Sequence, residues 1–183
     1  MPIRITRSII PNLFTLANLY CGFSAIIMFT GHDFVTGAFY IFFAGVFDSL
    51  DGYMARLTNS ASELGVELDS LCDAVSFGVA PSFLLYQLHY SQYPQYGMLV
   101  ASLPAMAGVY RLARFNTQLT SLEDKSYFSG MPIPSGALTI VTFAVYFVLP
   151  GNIPNAYLHS IVTFVTVVTS LAMISTIKYD NLP

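Results

Sequence analysis

Four aspartates lie close together in a chain that otherwise has little charge. Asp48 and Asp51 are three positions apart and Asp69 and Asp73 are four apart, so each pair occupies one face of a helix. Between the pairs, Thr58–Glu63 (TNSASE) interrupts the apolar sequence and predicts a turn near residue 60. Equal distances from this turn correspond to equal depth in an antiparallel helical hairpin. The spacing therefore predicts that all four carboxylates converge between two helices.

Converging carboxylates repel one another strongly unless cations lie among them. Hard oxygen ligands favour Mg²⁺, Mn²⁺ or Ca²⁺ over Zn²⁺, and two divalent ions would balance four negative charges. Sites with two metal ions commonly hold phosphates and stabilise in-line displacement at phosphorus. The alternative is an ion or proton pathway, which requires polar side chains through the full depth of a membrane. Away from the aspartates, the same segments offer little beyond Tyr, Ser and Thr.

Residues beside the aspartates fit an anionic substrate. Arg56 follows the first aspartate pair and could bind such a substrate through charge-assisted hydrogen bonds. Gly52 and Gly65 are unfavourable inside helices, which indicates that a ligand approaches the backbone closely at these positions. Ser60 and Glu63 have the spacing of a capping box at the start of the second helix.

The composition predicts a membrane protein. Only 9% of the 183 residues are charged and the mean hydropathy is +0.62, whereas a soluble domain carries about 25% charged residues. No basic run or basic face indicates nucleic acid as a partner. Cys21 and Cys72 lack the spacing of metal ligands and are interpreted as small apolar residues. Because no linker or low-complexity tract interrupts the chain, we predict a single domain over residues 1–183.

Six apolar segments are long enough to cross a bilayer as helices, which requires about 20 residues each. They lie at residues 11–30, 34–57, 62–89, 95–117, 133–150 and 155–177. The fold class predicted from this pattern is an all-α integral membrane protein with six transmembrane helices.

The cationic residues predict the orientation. All seven Lys and Arg residues fall on one side of the six segments: Arg4, Arg7, Arg56, Arg111, Arg114, Lys125 and Lys178. The three connections on the other side, near residues 31–33, 91–94 and 150–155, contain none. Because positive residues mark the cytoplasmic side, we expect both termini and the aspartates to face the cytoplasm, with the protein in the cell (inner) membrane.

The aspartates belong to a longer motif that resembles the signature of the CDP-alcohol phosphotransferases. The motif reads Asp48-x-x-Asp51-Gly52-x-x-Ala55-Arg56, then eight residues, then Gly65-x-x-x-Asp69-x-x-x-Asp73. All eight signature positions match with the spacing of the family. Further segments resemble the phosphatidylserine synthase branch of that family, so the similarity covers most of the chain. These segments are Pro11–Gly22, Asp69–Ser82, Arg111–Asn116 and Tyr127–Ala137.

The resemblance implies a homodimer of six-helix chains, surrounded by membrane lipids. It implies transfer of a substituted phosphoryl group from a CDP-linked donor, here CDP-diacylglycerol, to an alcohol, with release of CMP. Asp48, Asp51 and Asp69 match the ligands of one divalent cation, Mg²⁺, Mn²⁺ or Ca²⁺. Asp48, Asp69 and Asp73 match the ligands of a second, and Asp73 also matches the general base. The positions that match donor-binding residues are Asn12, Gly52, Ala55, Arg56, Ser62 and Gly65.

The branch implies L-serine as the acceptor. Serine is a zwitterion, so it needs about one cation rather than a phosphate-binding cluster, and Arg111 or Arg114 could bind its carboxylate in a bidentate pair. The alternative for these two arginines is a role as positive anchors at the membrane surface. Two other functions stay open. The acceptor could be glycerol 3-phosphate or inositol phosphate, or the protein could be a small cation transporter.

Overall fold

The computed structural model describes residues 9–57, 62–93, 95–120 and 127–180. Within these ranges the chain is almost entirely helical. The helices are α1 (Ile9–Thr30), α2 (Phe34–Leu57), α3 (Glu63–Asp73), α4 (Ala80–Leu88), α5 (Gly97–Thr120), α6 (Ile133–Phe143) and α7 (Asn155–Ile174). A π-helical turn, Ala74–Val79, joins α3 directly to α4, and a second one, Ala144–Val148, extends α6. A 3₁₀ turn, Tyr90–Gln92, follows α4.

These elements form six helical segments in the described part of the chain, and their ends agree with the six predicted segments to within three residues. Four of them are long and apolar enough to cross a membrane: Pro11–Thr30, Phe34–Leu57, Glu63–Leu88 and Asn155–Ile174. The segment Ile133–Val148 is apolar but shorter, and α5 carries two arginines and a polar last turn. The four apolar helices are those of a membrane protein.

A tight turn joins α1 to α2 at the end of the bundle away from the aspartates. His32 adopts a left-handed conformation with φ of 59°, and Oδ1 of Asp33 accepts a hydrogen bond of 3.1 Å from the Thr36 N–H. The aspartate thereby satisfies one of the free N–H groups at the start of α2. So short a connection makes α1 and α2 antiparallel neighbours.

The N-terminus of α3 is capped by Ser62 rather than by the predicted Ser60. Oγ of Ser62 accepts a hydrogen bond of 3.1 Å from the Gly65 N–H, and the Ser62 backbone is extended. Ser60 and the predicted turn around it lie outside the described residues. The capping-box spacing singled out Ser60, but Ser62 is the residue that directly precedes the first helical residue, Glu63.

The predicted hairpin of the two aspartate-bearing helices is more open than expected. Helix α1 packs extensively on α2 and also on α3, whereas α2 and α3 make sparse contact with each other. The carboxylates of α2 and α3 therefore face each other across a gap rather than a packed interface. A gap of this kind is physically reasonable because bare carboxylates repel one another at low dielectric.

The core lies where α1, α2, the π turn after α3, α4 and α6 meet. Its largest buried side chains include Phe29, Ile41, Phe77 and Leu84, all at most 1% exposed. Gly22 allows α1 to approach the π turn closely, because a Cβ at this position would collide with Ser76. This packing sets the position of α1 along its axis relative to Asp73, the last residue of α3.

The C-terminal end of α7 is tied to the chain that precedes α6. Strand β1 (Tyr127–Ser129) pairs antiparallel with β2 (Lys178–Asp180). The Gly130 N–H donates to the Ile177 carbonyl at 3.0 Å, and Gly130 has a φ of 79° that favours glycine. These bonds hold the chain between β1 and α6 against the C-terminal end of α7.

Candidate functional site

Three of the four predicted aspartates form a compact cluster. One carboxylate oxygen from each of Asp48, Asp51 and Asp69 lies within 4.8 Å of the other two. Asp51 is only 6% exposed, and Asp48 and Asp69 are half-buried. The convergence predicted from their spacing on two helices is thus confirmed for these three residues.

The fourth aspartate lies beside the cluster and has a different partner. Asp73 is 6% exposed and adjacent to Asp48, as the matching depths of these two residues predict. Its Oδ1 accepts a hydrogen bond of 2.9 Å from Nδ2 of Asn18 on α1. Asp73 is therefore held from the side by a neutral amide and is not one of the three closely grouped carboxylates.

The cluster has the chemistry of a site for hard divalent cations. Oδ2 of Asp51 and Oδ1 of Asp69 are buried without a hydrogen-bond partner among the described residues. Buried carboxylate oxygens that lack partners carry a large free-energy cost. Because one carboxylate oxygen from each of three aspartates converges on one point and two of these aspartates have unpartnered oxygens, the residues present fit Mg²⁺, Mn²⁺ or Ca²⁺.

A cavity of about 160 Å³ opens beside the cluster. It is bounded by the N-terminal turns of α1, the last turns of α2 and the first turns of α3. Five of the six residues predicted to bind the donor line this cavity: Asn12, Gly52, Ala55, Ser62 and Gly65. Asp51 and Asp69 also line it, so the cavity leads directly to the carboxylates.

The two glycines of the motif contribute to this cavity differently. Nothing lies within 4 Å of the point that a Cβ on Gly52 would occupy, so this glycine widens the cavity. A Cβ on Gly65 would lie 3.2 Å from Oγ of Ser62 and 3.6 Å from Oδ1 of Asn12. Gly65 thus makes room for the helix cap and for the asparagine of α1.

The sixth predicted donor residue, Arg56, is exposed and does not line the cavity. Its Nε donates a hydrogen bond of 3.1 Å to the Gly52 carbonyl, four residues earlier in α2. The arginine side chain therefore lies along α2, directly after the last residue of this helix that lines the cavity, Ala55.

Arg111 and Arg114, predicted as alternatives for the acceptor, have different environments. Arg111 is 8% exposed, its guanidinium lies 5.9 Å from the ring centre of Phe115, and its Nε has no partner among the described residues. It is also close enough to Asp73 for their charges to attract. Arg114 donates to two carbonyls at the end of α7, those of Ile174 at 2.9 Å and Ser175 at 3.1 Å.

An apolar groove reaches the cluster from another direction. It has a volume of about 570 Å³ and runs between α2 and α6, with Phe42, Val46 and Leu138 among its lining residues. Asp48 lies on the same groove. The aspartates are therefore accessible from a cavity lined by motif residues and from a groove lined mainly by apolar side chains.

Of the residues that α1 contributes to the site, only Asn12 was predicted from the sequence. Thr15 lines the cavity and Asn18 bonds to Asp73, yet neither was a candidate. The signal is visible in the segment PNLFTLANLYCG, where Asn12, Thr15, Asn18 and Gly22 recur every three or four positions on one helix face. This polar face of an otherwise apolar helix points toward the aspartates.

Comparisons with known proteins show which family the chain resembles. A family model described as CDP-alcohol phosphatidyltransferase matches residues 8–174. A CDP-diacylglycerol–serine O-phosphatidyltransferase of Helicobacter pylori (strain ATCC 700392 / 26695) is 37% identical over 175 residues, covering 93% of this chain and 71% of that protein. A protein of the same name from Bacillus subtilis (strain 168) is 38% identical over 132 residues, covering 72% of this chain and 73% of that protein.

A solved structure has a similar fold. The crystal structure of Mycobacterium tuberculosis phosphatidylinositol phosphate synthase (PgsA1) with CDP-DAG bound superimposes with a TM-score of 0.62. The match covers 94% of this chain and 82% of that chain, at 19% sequence identity. At this identity the similarity establishes the helical architecture but does not identify the acceptor substrate.

Proposed function

The chain belongs to the CDP-alcohol phosphatidyltransferase family, and we propose that it transfers the phosphatidyl group of CDP-diacylglycerol to the hydroxyl of L-serine. The products are phosphatidylserine and CMP. The observation that carries the proposal is the group of three carboxylates, two of which have buried oxygens without a partner among the described residues, next to a cavity lined by five residues of the family motif. The four carboxylates by themselves were also compatible with an ion pathway. Because the chain belongs to a transferase family, an enzyme is the favoured interpretation.

Two divalent cations are the proposed cofactors. Asp48, Asp51 and Asp69 would hold the first, and Asp48, Asp69 and Asp73 the second. When bound, such ions withdraw charge from the pyrophosphate of the donor and stabilise CMP as the leaving group. The support for this assignment is the convergence of Asp48, Asp51 and Asp69, together with the buried oxygens of Asp51 and Asp69 that have no protein partner among the described residues.

The donor fits the two spaces that meet at the aspartates. We assign the CDP part to the cavity lined by Asn12, Gly52 and Ser62, where backbone and small side chains leave room for a nucleotide. The diacylglycerol part would extend along the apolar groove between α2 and α6, which reaches Asp48. Arg56, exposed at the end of α2, would meet the nucleotide from the solvent side.

Asp73 is the proposed general base. As the serine Oγ attacks the phosphorus that bears diacylglycerol, a new P–O bond forms and the P–O bond of the pyrophosphate breaks. The hydroxyl proton moves to a carboxylate oxygen of Asp73, and CMP leaves with the bridging oxygen. A carboxylate is a weak base for an alcohol, so the proton moves late, when the hydroxyl has become acidic through bonding to phosphorus.

Arg111 is the proposed partner of the serine carboxylate. It is buried, its Nε lacks a protein partner in the described part of the chain, and it lies near Asp73. Arg114 already bonds two backbone carbonyls of the α7 terminus. One available guanidinium is sufficient for an amino acid carboxylate, and its planar fork matches that group.

The names of the relatives also favour serine. The Helicobacter pylori and Bacillus subtilis proteins, at 37% and 38% identity, are both named as serine O-phosphatidyltransferases. The protein of similar fold is named as a phosphatidylinositol phosphate synthase, so inositol phosphate or glycerol 3-phosphate is the second candidate. These acceptors carry an additional phosphate, which calls for more cationic groups than one buried arginine.

We also propose six transmembrane helices, with both termini and the active site on the cytoplasmic side, and a homodimer as the working form. The placement of all seven Lys and Arg residues on one side supports this orientation. Four of the helices are long and apolar enough to span the bilayer unaided. The other two would complete the bundle by packing against them.

Competition among acceptors tests this assignment. Purified protein is given CDP-diacylglycerol and an equimolar mixture of L-serine, glycerol 3-phosphate, inositol phosphate and choline, and the lipid products are separated by mass. Phosphatidylserine should dominate. Predominant phosphatidylglycerol phosphate or phosphatidylinositol phosphate would contradict serine as the acceptor and leave the transfer chemistry intact.

A further inference from the structure

Asn18 is a fully buried polar residue in the middle of an apolar helix. Its side chain is 0% exposed, and Nδ2 donates a hydrogen bond of 2.9 Å to Oδ1 of Asp73. The amide oxygen of Asn18 has no partner among the described residues. An unsatisfied buried acceptor costs free energy, whereas an apolar side chain of similar size would pack there without this cost. The residue is therefore poorly explained by stability alone.

The backbone of Asn18 is held by the same element that carries Asp73. Oγ of Ser76, in the π turn that begins directly after Asp73, donates a hydrogen bond of 3.0 Å to the Asn18 carbonyl. Gly22 allows this approach, because a side chain there would collide with Ser76. Two hydrogen bonds thus link Asn18 to the segment that carries Asp73. One joins the Asn18 and Asp73 side chains, and the other joins the Ser76 side chain to the Asn18 backbone. Such π turns occur frequently at functional sites.

We propose that Asn18 is a positioning residue for the transfer reaction: its amide fixes one oxygen of Asp73 and leaves the other oxygen to receive the proton of the acceptor hydroxyl. The inference rests on the proposed role of Asp73 as the base. Asp48 and Asp69 lie close to Asp73, and without the bond to Asn18 the Asp73 side chain could rotate and change which of its oxygens faces them. The single hydrogen bond from Asn18 opposes this rotation.

The chemical nature of an amide suits this role. A lysine or arginine in place of Asn18 would also hold Asp73, but its positive charge would weaken the carboxylate as a base and oppose the binding of cations nearby. An asparagine side chain donates a hydrogen bond without carrying charge. The amide thus restrains the orientation of Asp73 and stabilises its ionised form less than a full positive charge would.

A double-mutant cycle between Asn18 and Asp73 tests the proposal. We expect Asn18→Ala to lower kcat by about 10- to 100-fold, the cost of misplacing a reacting group. The KM values for serine and CDP-diacylglycerol should change by less than about threefold, because Asn18 lines neither the cavity nor the apolar groove assigned to the donor. In an Asp73→Asn background the same substitution should cause no further loss of kcat, since both changes remove the same function.

Two further variants keep the outcome interpretable. Asn18→Leu has a similar shape but cannot donate to Asp73, so it should show the same loss of kcat even if Asn18→Ala folds poorly. Thr166→Ala removes another fully buried polar side chain, which accepts a hydrogen bond from Tyr90 far from the site. It should lower thermal stability and leave kcat within about twofold of the wild type.

Binding of CDP-diacylglycerol, measured by the shift it causes in the thermal unfolding midpoint, gives a readout independent of turnover. The shift should be retained in Asn18→Ala.

A kcat of Asn18→Ala near that of the wild type, or an equal loss of kcat when Asn18→Ala is added to Asp73→Asn, would overturn the positioning role. If Asp73→Asn is itself fully active, the proposed base is wrong. An active Asn18→Ala beside an inactive Asp73→Asn overturns this inference alone.

Discussion

Arg111 and Arg114 lie three residues apart on α5, but only Arg114 donates to the carbonyls that end α7. Its guanidinium bonds the carbonyls of Ile174 and Ser175, a favourable arrangement for a cation at a helix C-terminus. Arg111 is buried beside Phe115 and leaves Nε without a partner among the described residues. The two side chains are therefore distinguishable by experiment, although the sequence presents them as equivalent.

Replacing each arginine by glutamine should separate their roles. Arg111→Gln should raise the KM for serine roughly ten- to hundredfold, because a hydrogen bond to a charged group contributes about 1.5–3 kcal/mol. Arg114→Gln is the matched control. It should lower the stability of the protein by about 1–2 kcal/mol while the KM for serine stays close to that of the wild type. Steady-state kinetics and thermal unfolding measure both effects, and the reverse pattern would exchange the two assignments.

Removal of divalent cations should abolish activity. After exhaustive treatment with a chelator, turnover should disappear and should return with Mg²⁺, Mn²⁺ or Ca²⁺. Asp48→Asn or Asp69→Asn should remove binding of Mn²⁺, followed by electron paramagnetic resonance, together with activity. The control Asp33→Asn makes the same chemical change at an exposed helix cap and should retain both. Full activity in the stripped protein would exclude a catalytic metal site.

Asp73→Asn should separate substrate binding from catalysis. Asparagine has the shape of aspartate and can still accept the hydrogen bond from Asn18, so donor binding should be largely retained. Loss of a general base lowers the rate by about 10²- to 10⁴-fold, and kcat should fall accordingly. The comparison of the donor dissociation constant with kcat measures this separation. Turnover near the wild-type rate would show that another group accepts the proton.

Much of the helical layout could be predicted from the sequence, because apolar segments of sufficient length have few alternatives to helices in a membrane. The convergence of Asp48, Asp51 and Asp69 followed from helical periodicity and their distance from a common turn. These arguments depend on spacing along the chain, which the sequence supplies directly.

The features that could not be predicted depend on contacts between distant segments. Asn18 pairs with a residue 55 positions away; the polar face of α1 is visible in the sequence, but no local pattern specifies that Asp73 is the residue it meets. The π turn at Ala74–Val79 leaves no clear mark in composition. The sparse contact between α2 and α3 also escaped prediction, since a short connection indicates that two helices are neighbours but not how far they separate.

Gly52→Ala should weaken donor binding without harming the fold. A Cβ at this position meets nothing within 4 Å and would extend into the cavity proposed for the nucleotide. The alanine should stabilise α2 by up to about 1 kcal/mol through helix propensity, while the KM for CDP-diacylglycerol rises. Gly22→Ala is the opposite case, since its Cβ would collide with Ser76, and overpacking should destabilise the protein by about 1–3 kcal/mol. An unchanged donor KM in Gly52→Ala would argue against this location for the nucleotide.

We propose that the aspartate site transfers a phosphatidyl group from CDP-diacylglycerol to serine. The most direct measurement follows both products at once, using purified protein in detergent with Mg²⁺ or Mn²⁺, with and without L-serine, for the wild type and for Asp69→Asn. We predict that CMP and phosphatidylserine form in equal amounts, only when serine is present, and that the variant forms neither. Release of CMP that is independent of serine would contradict serine as the acceptor. Equal product formation by Asp69→Asn would contradict the aspartate cluster as the site of transfer.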